Sequence, residues 1–257
     1  MQDVYELRKV SEIMKELFQR VFTVHKCVSC RKILKYENFD DAFCPSCYEN
    51  YLSARMAICP ECSLEAEKCR CMPPLLNKDK VISLRKLFFY SKNKATEPQN
   101  RLIYYLKRNK SRRACFSISK DILLLINAEL ARLDVEQIPL LIGVPRSRGA
   151  FFEYGFDQAD MLCRAISERC GLEYSTVIKR RRGGKAQKSL TAGERLKNIK
   201  SLIYADKNGI DEIRGRTVIL LDDVVTTGAS MSACVHILRE CGAKNIICVA
   251  LATDIKS

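Results

Sequence analysis

The 257-residue chain contains no apolar run approaching the ~20 residues that a membrane-spanning helix needs. Residues 1–20 mix charged and apolar side chains, and they lack the uncharged core that a signal peptide requires. Low-complexity segments are absent as well. These absences argue against secreted, membrane-inserted and disordered classes of protein, and they predict a globular, soluble protein of the cytoplasm without membrane insertion.

Negative charge is scarce relative to positive charge. The chain has 44 lysine and arginine residues against 30 aspartate and glutamate residues, which gives a formal net charge of +14. Such an excess suits a polyanionic partner, either a nucleic acid or a phosphorylated small molecule. The alternative is that the charge only keeps the protein soluble.

Histidine is almost missing, with two residues, whereas cysteine is abundant, with fourteen. Eight cysteines form three Cys-x-x-Cys pairs and one Cys-x-Cys pair: Cys27, Cys30, Cys44, Cys47, Cys59, Cys62, Cys69 and Cys71. Each pair can aim two thiolates at one point, and two pairs complete a tetrahedral zinc site. The spacing therefore predicts two zinc sites, one from the first four cysteines and one from the last four.

The alternative for these cysteines is a disulfide framework, which a reducing cytosol disfavours. Four thiolates leave no open coordination position, so both zinc ions are expected to stabilise the fold rather than to catalyse. His25 lies beside the first pair, but eight cysteines suffice for two sites without it. The thirteen residues between Cys30 and Cys44 leave room for a short hairpin.

Three segments are expected along the chain. Residues 1–24 show apolar positions at helical spacing and predict a leading amphipathic helix. Residues 25–75 hold the cysteine pairs, and Pro73-Pro74 marks their end. Residues 80–257 form the third and largest segment.

The third segment alternates strands and helices. We expect strands at 81–90, 138–144, 218–221 and 246–252, and helices at 100–110, 119–133, 158–170 and 230–241. Strands separated by helices of this length predict an α/β fold with a parallel sheet. In such sheets, ligands bind at the carboxyl ends of the strands.

One strand end carries unusual chemistry. The apolar run 218–221 leads into Asp222 and Asp223, and Thr226-Thr227-Gly228 then turns into a helix near Ser230. Backbone N–H groups at a helix start, together with hydroxyls, suit a phosphate. Two carboxylates would repel that phosphate unless they bind sugar hydroxyls or a divalent cation on the same ligand. The loop therefore predicts a ribose 5-phosphate site.

This stretch resembles the phosphoribosyl-pyrophosphate (PRPP) motif of type I phosphoribosyltransferases. The resemblance implies that Asp222 and Asp223 are the catalytic pair, hold the ribose hydroxyls, and use Mg²⁺ with PRPP. It implies a PRPP-binding loop made of nine residues: Asp222, Asp223, Val224, Val225, Thr226, Thr227, Gly228, Ala229 and Ser230.

From the cysteines onward, about two-thirds of the chain is also similar to the ComF family of competence proteins, in which a cysteine-rich segment precedes a phosphoribosyltransferase-like domain. The similarity rests on an ordered series of short segments: Tyr105-Leu106-Lys107, Val144-Pro145, Gly155-Phe156 with Gln158, Gln187, Leu190, Glu194-Arg195 and Asn198. It implies an α/β type I phosphoribosyltransferase-like parallel sheet behind an N-terminal double zinc ribbon. It also implies a part in DNA uptake during natural transformation, single-stranded DNA as a partner, and a helicase or translocation protein as a second partner.

The ComF pattern also assigns a pyrophosphate loop. In this chain it comprises Pro145, Arg146, Ser147 and Arg148. The family pattern has arginines where this chain has Ala150 and Tyr154, and an asparagine where it has Asp157. Arg146 and Arg148 lie close enough in sequence to compensate for the missing charge.

The densest positive run is residues 179–188, a flexible basic loop that contains Arg180, Arg181, Arg182, Lys185 and Lys188. It has three interpretations: a solvated charge run, a lid over pyrophosphate, or a contact for single-stranded DNA. A second basic run, 107–113, follows Tyr104 and Tyr105, a combination that suits single-strand binding.

Two functional hypotheses follow. In the first, the protein binds PRPP and handles single-stranded DNA. In the second, it is a magnesium-dependent phosphoribosyltransferase that acts on a small-molecule acceptor without a DNA role. No residue stands out as an acceptor-specific base, so the sequence leaves the acceptor open.

Overall fold

The computed structural model describes residues 24–35, 37, 40–90, 96–133, 137–181 and 199–254. The predicted leading helix lies outside them apart from Val24. The flexible basic loop lies outside them from Arg182 onward, so Lys185 and Lys188 are not described.

The described elements alternate between helix and strand along most of the chain. The helices are α1 (Pro45–Arg55), α2 (Pro74–Lys78), α3 (Pro98–Arg108), α4 (Arg112–Leu130), α5 (Arg148–Tyr154), α6 (Gln158–Cys170) and α7 (Ala229–Glu240). The strands are β1 (Ser83–Tyr90), β2 (Leu140–Gly143), β3 (Tyr174–Ser175), β4 (Ile178–Arg180), β5 (Ile203–Ala205), β6 (Thr217–Val225) and β7 (Asn245–Asp254). A 3₁₀ helix spans Lys207–Glu212.

Five strands form one parallel sheet in the order β1-β7-β6-β2-β3. The remaining pair, β4 and β5, is antiparallel. The predicted parallel α/β sheet is confirmed. All five strands end at the same edge, so the chain leaves the sheet there after Tyr90, Gly143, Ser175, Val225 and Asp254.

Side-chain alternation along β6 divides the core into two layers. Ile219 and Leu221 point to one face, where they join a cluster with α3, α4 and α6. Val218 and Leu220 point to the other face, where they pack with α7 and the β4–β5 pair. Both faces of the central strands are buried, which explains why these strands read as continuous apolar runs.

Several element boundaries differ from the sequence prediction. Strand β6 does not end before the acid pair but runs through it to Val225, because its register with β7 continues to Thr253. Helix α4 begins at Arg112, since the Ser111 hydroxyl caps it by accepting a hydrogen bond from the Ala114 amide. The end of the second basic run is therefore helical.

Charged side chains hold the cysteine-rich segment against the α/β domain. Helix α4 carries two buried acids, Asp121 and Glu129, on its otherwise apolar inner face. Arg55 of α1 pairs with Asp121 at 2.7 Å, and Arg70, which lies between Cys69 and Cys71, pairs with Glu129 at 2.8 Å. Buried charges are stable only when paired, so these contacts fix how the two segments dock.

Apolar residues complete this interface. Cys27, Val28, Phe43 and Tyr51 of the cysteine-rich segment share one buried cluster with Phe88 and the helices of the α/β domain. These residues of the segment therefore share the core of the α/β domain, as expected for so short a stretch. No helix of the described residues has both the length and the apolar character to cross a membrane.

Candidate functional site

The acid pair lies at the carboxyl edge of the sheet, on the last part of β6. Asp222 and Asp223 both line a cavity of about 400 Å³ that also contacts Pro145, Arg146 and Gln158. Burial, and then the neighbouring charge of Asp223, raise the pKa of Asp222 well above its ordinary value. Lys107 Nζ lies 3.6 Å from Asp223 Oδ2 and partly offsets the two negative charges.

A second, smaller cavity of about 200 Å³ adjoins the acid pair and is lined by residues 224–231. Gly228 stands at the amino terminus of α7, with φ +76, and no described side chain caps this end of the helix. Its first N–H groups are therefore open to an anion in the cavity.

Glycine is required at position 228 for two reasons. A φ of +76 is the left-handed region that side chains disfavour. A Cβ there would also lie 3.2 Å from Leu76 Cγ and 3.3 Å from Pro73 Cβ. The loop thus packs directly on the segment that ends the cysteine pairs.

The predicted pyrophosphate loop follows β2 and faces the same cavity as the acid pair, with Pro145, Arg146 and Ser147 among its lining residues. Arg146 does not present its guanidinium freely. It donates to the Phe156 carbonyl at 3.2 Å and to the Lys107 carbonyl at 3.0 Å, and it stacks over the Tyr154 ring at 4.7 Å. Arg146 can therefore replace the missing arginines only through the long-range attraction of its positive charge, and not through direct hydrogen bonds to a ligand.

Asp157, which replaces the family's asparagine, organises this loop. Its Oδ2 accepts from the Arg146 amide at 2.7 Å, while its Oδ1 caps α6 by accepting from the amides of Ala159 and Asp160. Burial outweighs these hydrogen bonds and raises the pKa of Asp157. A carboxylate supplies an acceptor on both oxygens, which an amide cannot do.

Gln158 is the least expected feature of the site. It is 3% exposed and lines the cavity that contains the acid pair. Neither its Oε1 nor its Nε2 has a hydrogen-bond partner among the described residues. A buried amide without hydrogen-bond partners is costly, which argues against a role for Gln158 in packing alone. A ligand in the cavity would supply the missing hydrogen bonds. The sequence pattern named Gln158 without indicating this role.

The described part of the flexible basic loop has a definite position. Arg180 ends β4, lines the acid-pair cavity, and has a pKa lowered by burial. Arg181 stacks over the Tyr204 ring at 4.9 Å. The second basic run also divides, since Lys107 faces the acid pair whereas Arg113 donates to the carbonyls of Asp41 and Lys26.

The eight cysteines form two clusters as predicted. The sulfur atoms of Cys27, Cys30, Cys44 and Cys47 lie within 4.8 Å of one another, and so do those of Cys59, Cys62, Cys69 and Cys71. Tetrahedral Zn–S bonds of about 2.3 Å place sulfurs about 3.8 Å apart, and Cys30 Sγ and Cys44 Sγ are 3.6 Å apart. Both clusters could hold a metal ion.

The first pair of each cluster forms the same turn. Arg31 and Ser63 follow these pairs with positive φ, of 65° and 58°. The second pairs differ, because Cys44 and Cys47 lie at the start of α1 whereas Cys69 and Cys71 lie outside any helix or strand. In the place of the predicted hairpin, the described residues between Cys30 and Cys44 show one antiparallel bridge, from Ile33 back to Lys26 across the first turn.

A buried lysine of the α/β domain lies against the second cluster. Lys86 of β1 is 1% exposed, and its Nζ lies 3.3 Å from Cys69 Sγ and 2.6 Å from the Cys71 carbonyl oxygen. Four thiolates around a divalent ion carry net negative charge, so a buried ammonium compensates part of it. The sequence does not indicate this contact, because Lys86 lies in an apolar strand and no regular spacing relates it to the cysteines.

Part of the larger segment matches a known family model. Residues 133–257 match the model of the phosphoribosyl transferase domain. This part of the chain is therefore similar to a phosphoribosyl transferase domain. Its parallel sheet and the two cysteine clusters before it agree with the predicted architecture.

Curated relatives extend the similarity beyond the phosphoribosyl transferase domain. The chain is 25% identical over 230 residues to "DNA utilization protein YhgH" of Salmonella typhimurium, covering 86% of this chain and 93% of that protein. It is 25% identical over 233 residues to "Competence protein ComFC" of Streptococcus pneumoniae, covering 86% and 96%. The predicted resemblance to the ComF family is confirmed.

Among solved structures, adenine phosphoribosyltransferase from Saccharomyces cerevisiae matches 54% of this chain and 68% of its own, with 17% identity and a TM-score of 0.35.

Proposed function

We propose that the phosphoribosyl transferase domain binds PRPP with Mg²⁺, and that the protein binds single-stranded DNA during DNA uptake. The observation that supports PRPP is the pairing of two adjoining cavities, one with the acid pair and one with the open amino terminus of α7. Carboxylates suit ribose hydroxyls, and open N–H groups suit the 5-phosphate. The names of the curated relatives support the DNA role.

The acid pair also fits a divalent cation. Asp222 and Asp223 are adjacent carboxylates. Among the described residues, the ion pair found at these two carboxylates is that of Asp223 with Lys107. Mg²⁺ prefers carboxylate oxygens together with substrate phosphates, and it would supply charge that this pair lacks. Zinc is proposed for the two cysteine clusters, where four thiolates each match its preferred ligands.

PRPP with Mg²⁺ is expected to raise the melting temperature. At 100 times the dissociation constant, mass action contributes about 2.7 kcal/mol, or roughly 5–10 °C for a chain of this size. The Asp222→Asn/Asp223→Asn variant is expected to lose this shift, because amides neither hold Mg²⁺ nor accept from ribose hydroxyls as strongly. Differential scanning fluorimetry measures both.

The control for this experiment is Asp211→Asn, which removes an exposed carboxylate at the opposite edge of the sheet. This variant should respond to PRPP like the wild type. If the double variant is stabilised by PRPP as much as the wild type, the assignment of the acid pair is wrong.

Replacing Gln158 with methionine is expected to separate stability from binding. Removing an unsatisfied buried amide should leave the free energy of unfolding unchanged or raise it by about 1 kcal/mol. The PRPP-induced shift should nevertheless shrink, because the ligand loses the amide contacts. Urea unfolding with and without PRPP gives both quantities, and a destabilised variant with full PRPP binding would assign Gln158 to packing instead.

The DNA part of the proposal concerns exposed cations near the carboxyl edge. Lys107 and Arg113 contact other groups of the protein, whereas Arg108, Lys110 and Arg112 are exposed. Arg112 forms an exposed ion pair with Glu168. Arg108 directly follows Lys107, which lines the acid-pair cavity, and Lys110 and Arg112 continue the exposed surface along the α3–α4 connection, where all three can reach phosphates of a strand.

Single-stranded DNA binding is expected to weaken steeply with salt. In the Arg108→Ala/Lys110→Ala variant, the slope of log K against log salt concentration should fall by about 0.7 per lost phosphate contact, hence by about 1.4. Lys244→Ala/Arg214→Ala removes the same charge from the opposite edge and is the matched control. Fluorescence anisotropy of a labelled oligonucleotide measures the slopes, and equal slopes for the two variants would count against this surface.

The second candidate function is phosphoribosyl transfer to a small acceptor. The complete acid pair and phosphate loop favour it, whereas the engaged guanidinium of Arg146 and the neutral Ala150 and Tyr154 weaken the pyrophosphate side. Incubation with PRPP, Mg²⁺ and a panel of nucleobases and amines tests it. Acceptor-dependent pyrophosphate release would establish this activity.

A further inference from the structure

A larger cavity lies next to the acid-pair cavity, and the proposed PRPP site does not use it. It encloses about 510 Å³ between α5, α6 and the β4–β5 pair. We call it the aromatic pocket, after its lining residues Phe151, Phe152 and Tyr204. It shares Pro145, Arg146, Asp157 and Arg180 with the acid-pair cavity.

The aromatic side chains of this pocket are unusually exposed. Phe151 is 46% exposed and Phe152 is 70% exposed, although they are consecutive residues of one short helix. Helix α5 thus places two large rings at a cavity mouth rather than in the core. Exposed neighbouring aromatics at a concave surface indicate a binding site for a flat apolar group.

Positive charge surrounds these rings. Arg164, Lys179 and Arg180 line the pocket, and Arg181 stacks over the ring of Tyr204 at 4.9 Å. Arg164 and Lys179 also pair with Asp160 and Asp206, so they are held in position. Cations beside aromatic rings are the combination that binds single strands, with bases on the rings and phosphates on the cations.

One polar atom in the pocket lacks a partner. Asp160 lines the pocket, and its Oδ2 accepts from Arg164 at 2.9 Å. Its Oδ1 is buried and has no hydrogen-bond partner among the described residues. A carboxylate oxygen accepts from the exocyclic amino group of adenine, cytosine or guanine, which thymine lacks.

We infer that the aromatic pocket holds one unpaired base of single-stranded DNA, stacked on Phe151 and Phe152 with its amino edge toward Asp160. The inference rests on the proposed DNA function and adds the residues that receive a base. It places that base beside the PRPP cavity, with Arg146, Asp157 and Arg180 common to both sites.

The test uses the full-length, metal-loaded protein and an oligonucleotide with a single 2-aminopurine, whose fluorescence is quenched by stacking. Phe151→Ala/Phe152→Ala should bind the oligonucleotide between about fivefold and 150-fold more weakly, with the quenching lost. The salt slope should stay unchanged, because stacking releases no counterions. Phe116→Ala is the matched control, since Phe116 is a partly exposed phenylalanine that stacks on Arg169 away from the pocket.

Base preference tests the role of Asp160. Wild-type protein should bind oligo-dA and oligo-dC about tenfold more tightly than oligo-dT, since a hydrogen bond to a charged acceptor accounts for a difference of that size. Asp160→Asn should abolish this preference while keeping binding to oligo-dT.

The outcomes separate this inference from the function on which it rests. If the wild-type protein binds no oligonucleotide, the proposed DNA function and this inference both fail. If the double phenylalanine variant binds and quenches like the wild type, only the aromatic pocket is wrong. If free adenine displaces the strand at low concentration, the pocket is a small-molecule acceptor site and its assignment to DNA is overturned.

Discussion

Replacing Cys44 with serine is expected to reduce the bound zinc from two ions per chain to one and to unfold the first part of the cysteine-rich segment. Cys44 is one of four sulfurs that lie within 4.8 Å of one another. A serine hydroxyl does not replace a thiolate ligand at neutral pH. Because such a site forms only on folding, its binding free energy, about 10–16 kcal/mol in zinc-finger peptides, is folding free energy.

Elemental analysis and proteolysis measure the two consequences. The variant should contain one zinc ion and be cleaved between residues 24 and 55 under conditions that spare the wild type. Cys170→Ser is the control, because Cys170 is exposed and belongs to neither cluster. Freshly reduced wild-type protein without zinc, or two ions retained in the Cys44 variant, would contradict the prediction.

The two cysteine clusters were predictable because the ligands of metal sites occur at characteristic spacings in the sequence. Close pairs such as Cys27 and Cys30 limit the thiolates to one side of a turn, so spacing alone groups them correctly. The order of the pairs, first with second and third with fourth, also followed from proximity. What spacing did not reveal is that Cys44 and Cys47 start a helix, because α1 has no apolar periodicity of its own.

The acid pair was predictable for a similar reason. An apolar run that meets Asp222 and Asp223 and then Thr-Thr-Gly fixes both the element and the edge at which it ends. The length of β6 was underestimated, because two carboxylates look like the end of a strand. Pairing with β7 continues beyond them, and the backbone register overrides the polarity of the side chains.

Long-range contacts could not be predicted in this way. Arg55 and Asp121 are 66 residues apart, and Lys86 and Cys69 are 17 apart, without any periodic pattern that links them. Gln158 and Asp160 raise a related difficulty, since an unsatisfied amide or carboxylate can be recognised only when its surroundings are known. Sequence patterns report local geometry, whereas these residues depend on how helices pack.

Replacing Asp121 with alanine is expected to destabilise the protein by about 3–5 kcal/mol, since it removes one partner of a buried ion pair. The Asp121 and Arg55 side chains are 4% and 10% exposed, and they meet at 2.7 Å. The variant leaves Arg55 with Glu67 alone and deprives the Tyr51 hydroxyl of its acceptor at 3.2 Å. Because these contacts cross between α1 and α4, the docking of the cysteine-rich segment should weaken first.

Urea unfolding of zinc-loaded protein measures the loss, and hydrogen exchange of residues 45–55 shows where it begins. Glu168→Ala is the matched control, because it breaks the exposed pair with Arg112 and should cost less than about 1 kcal/mol. The Arg55→Met/Asp121→Leu variant should recover most of the stability, since apolar side chains need no partner inside the protein. If Asp121→Ala is no more destabilising than Glu168→Ala, the ion pair does not hold the two segments together. If the double variant is as unstable as the single one, the loss comes from packing rather than from an unpaired charge.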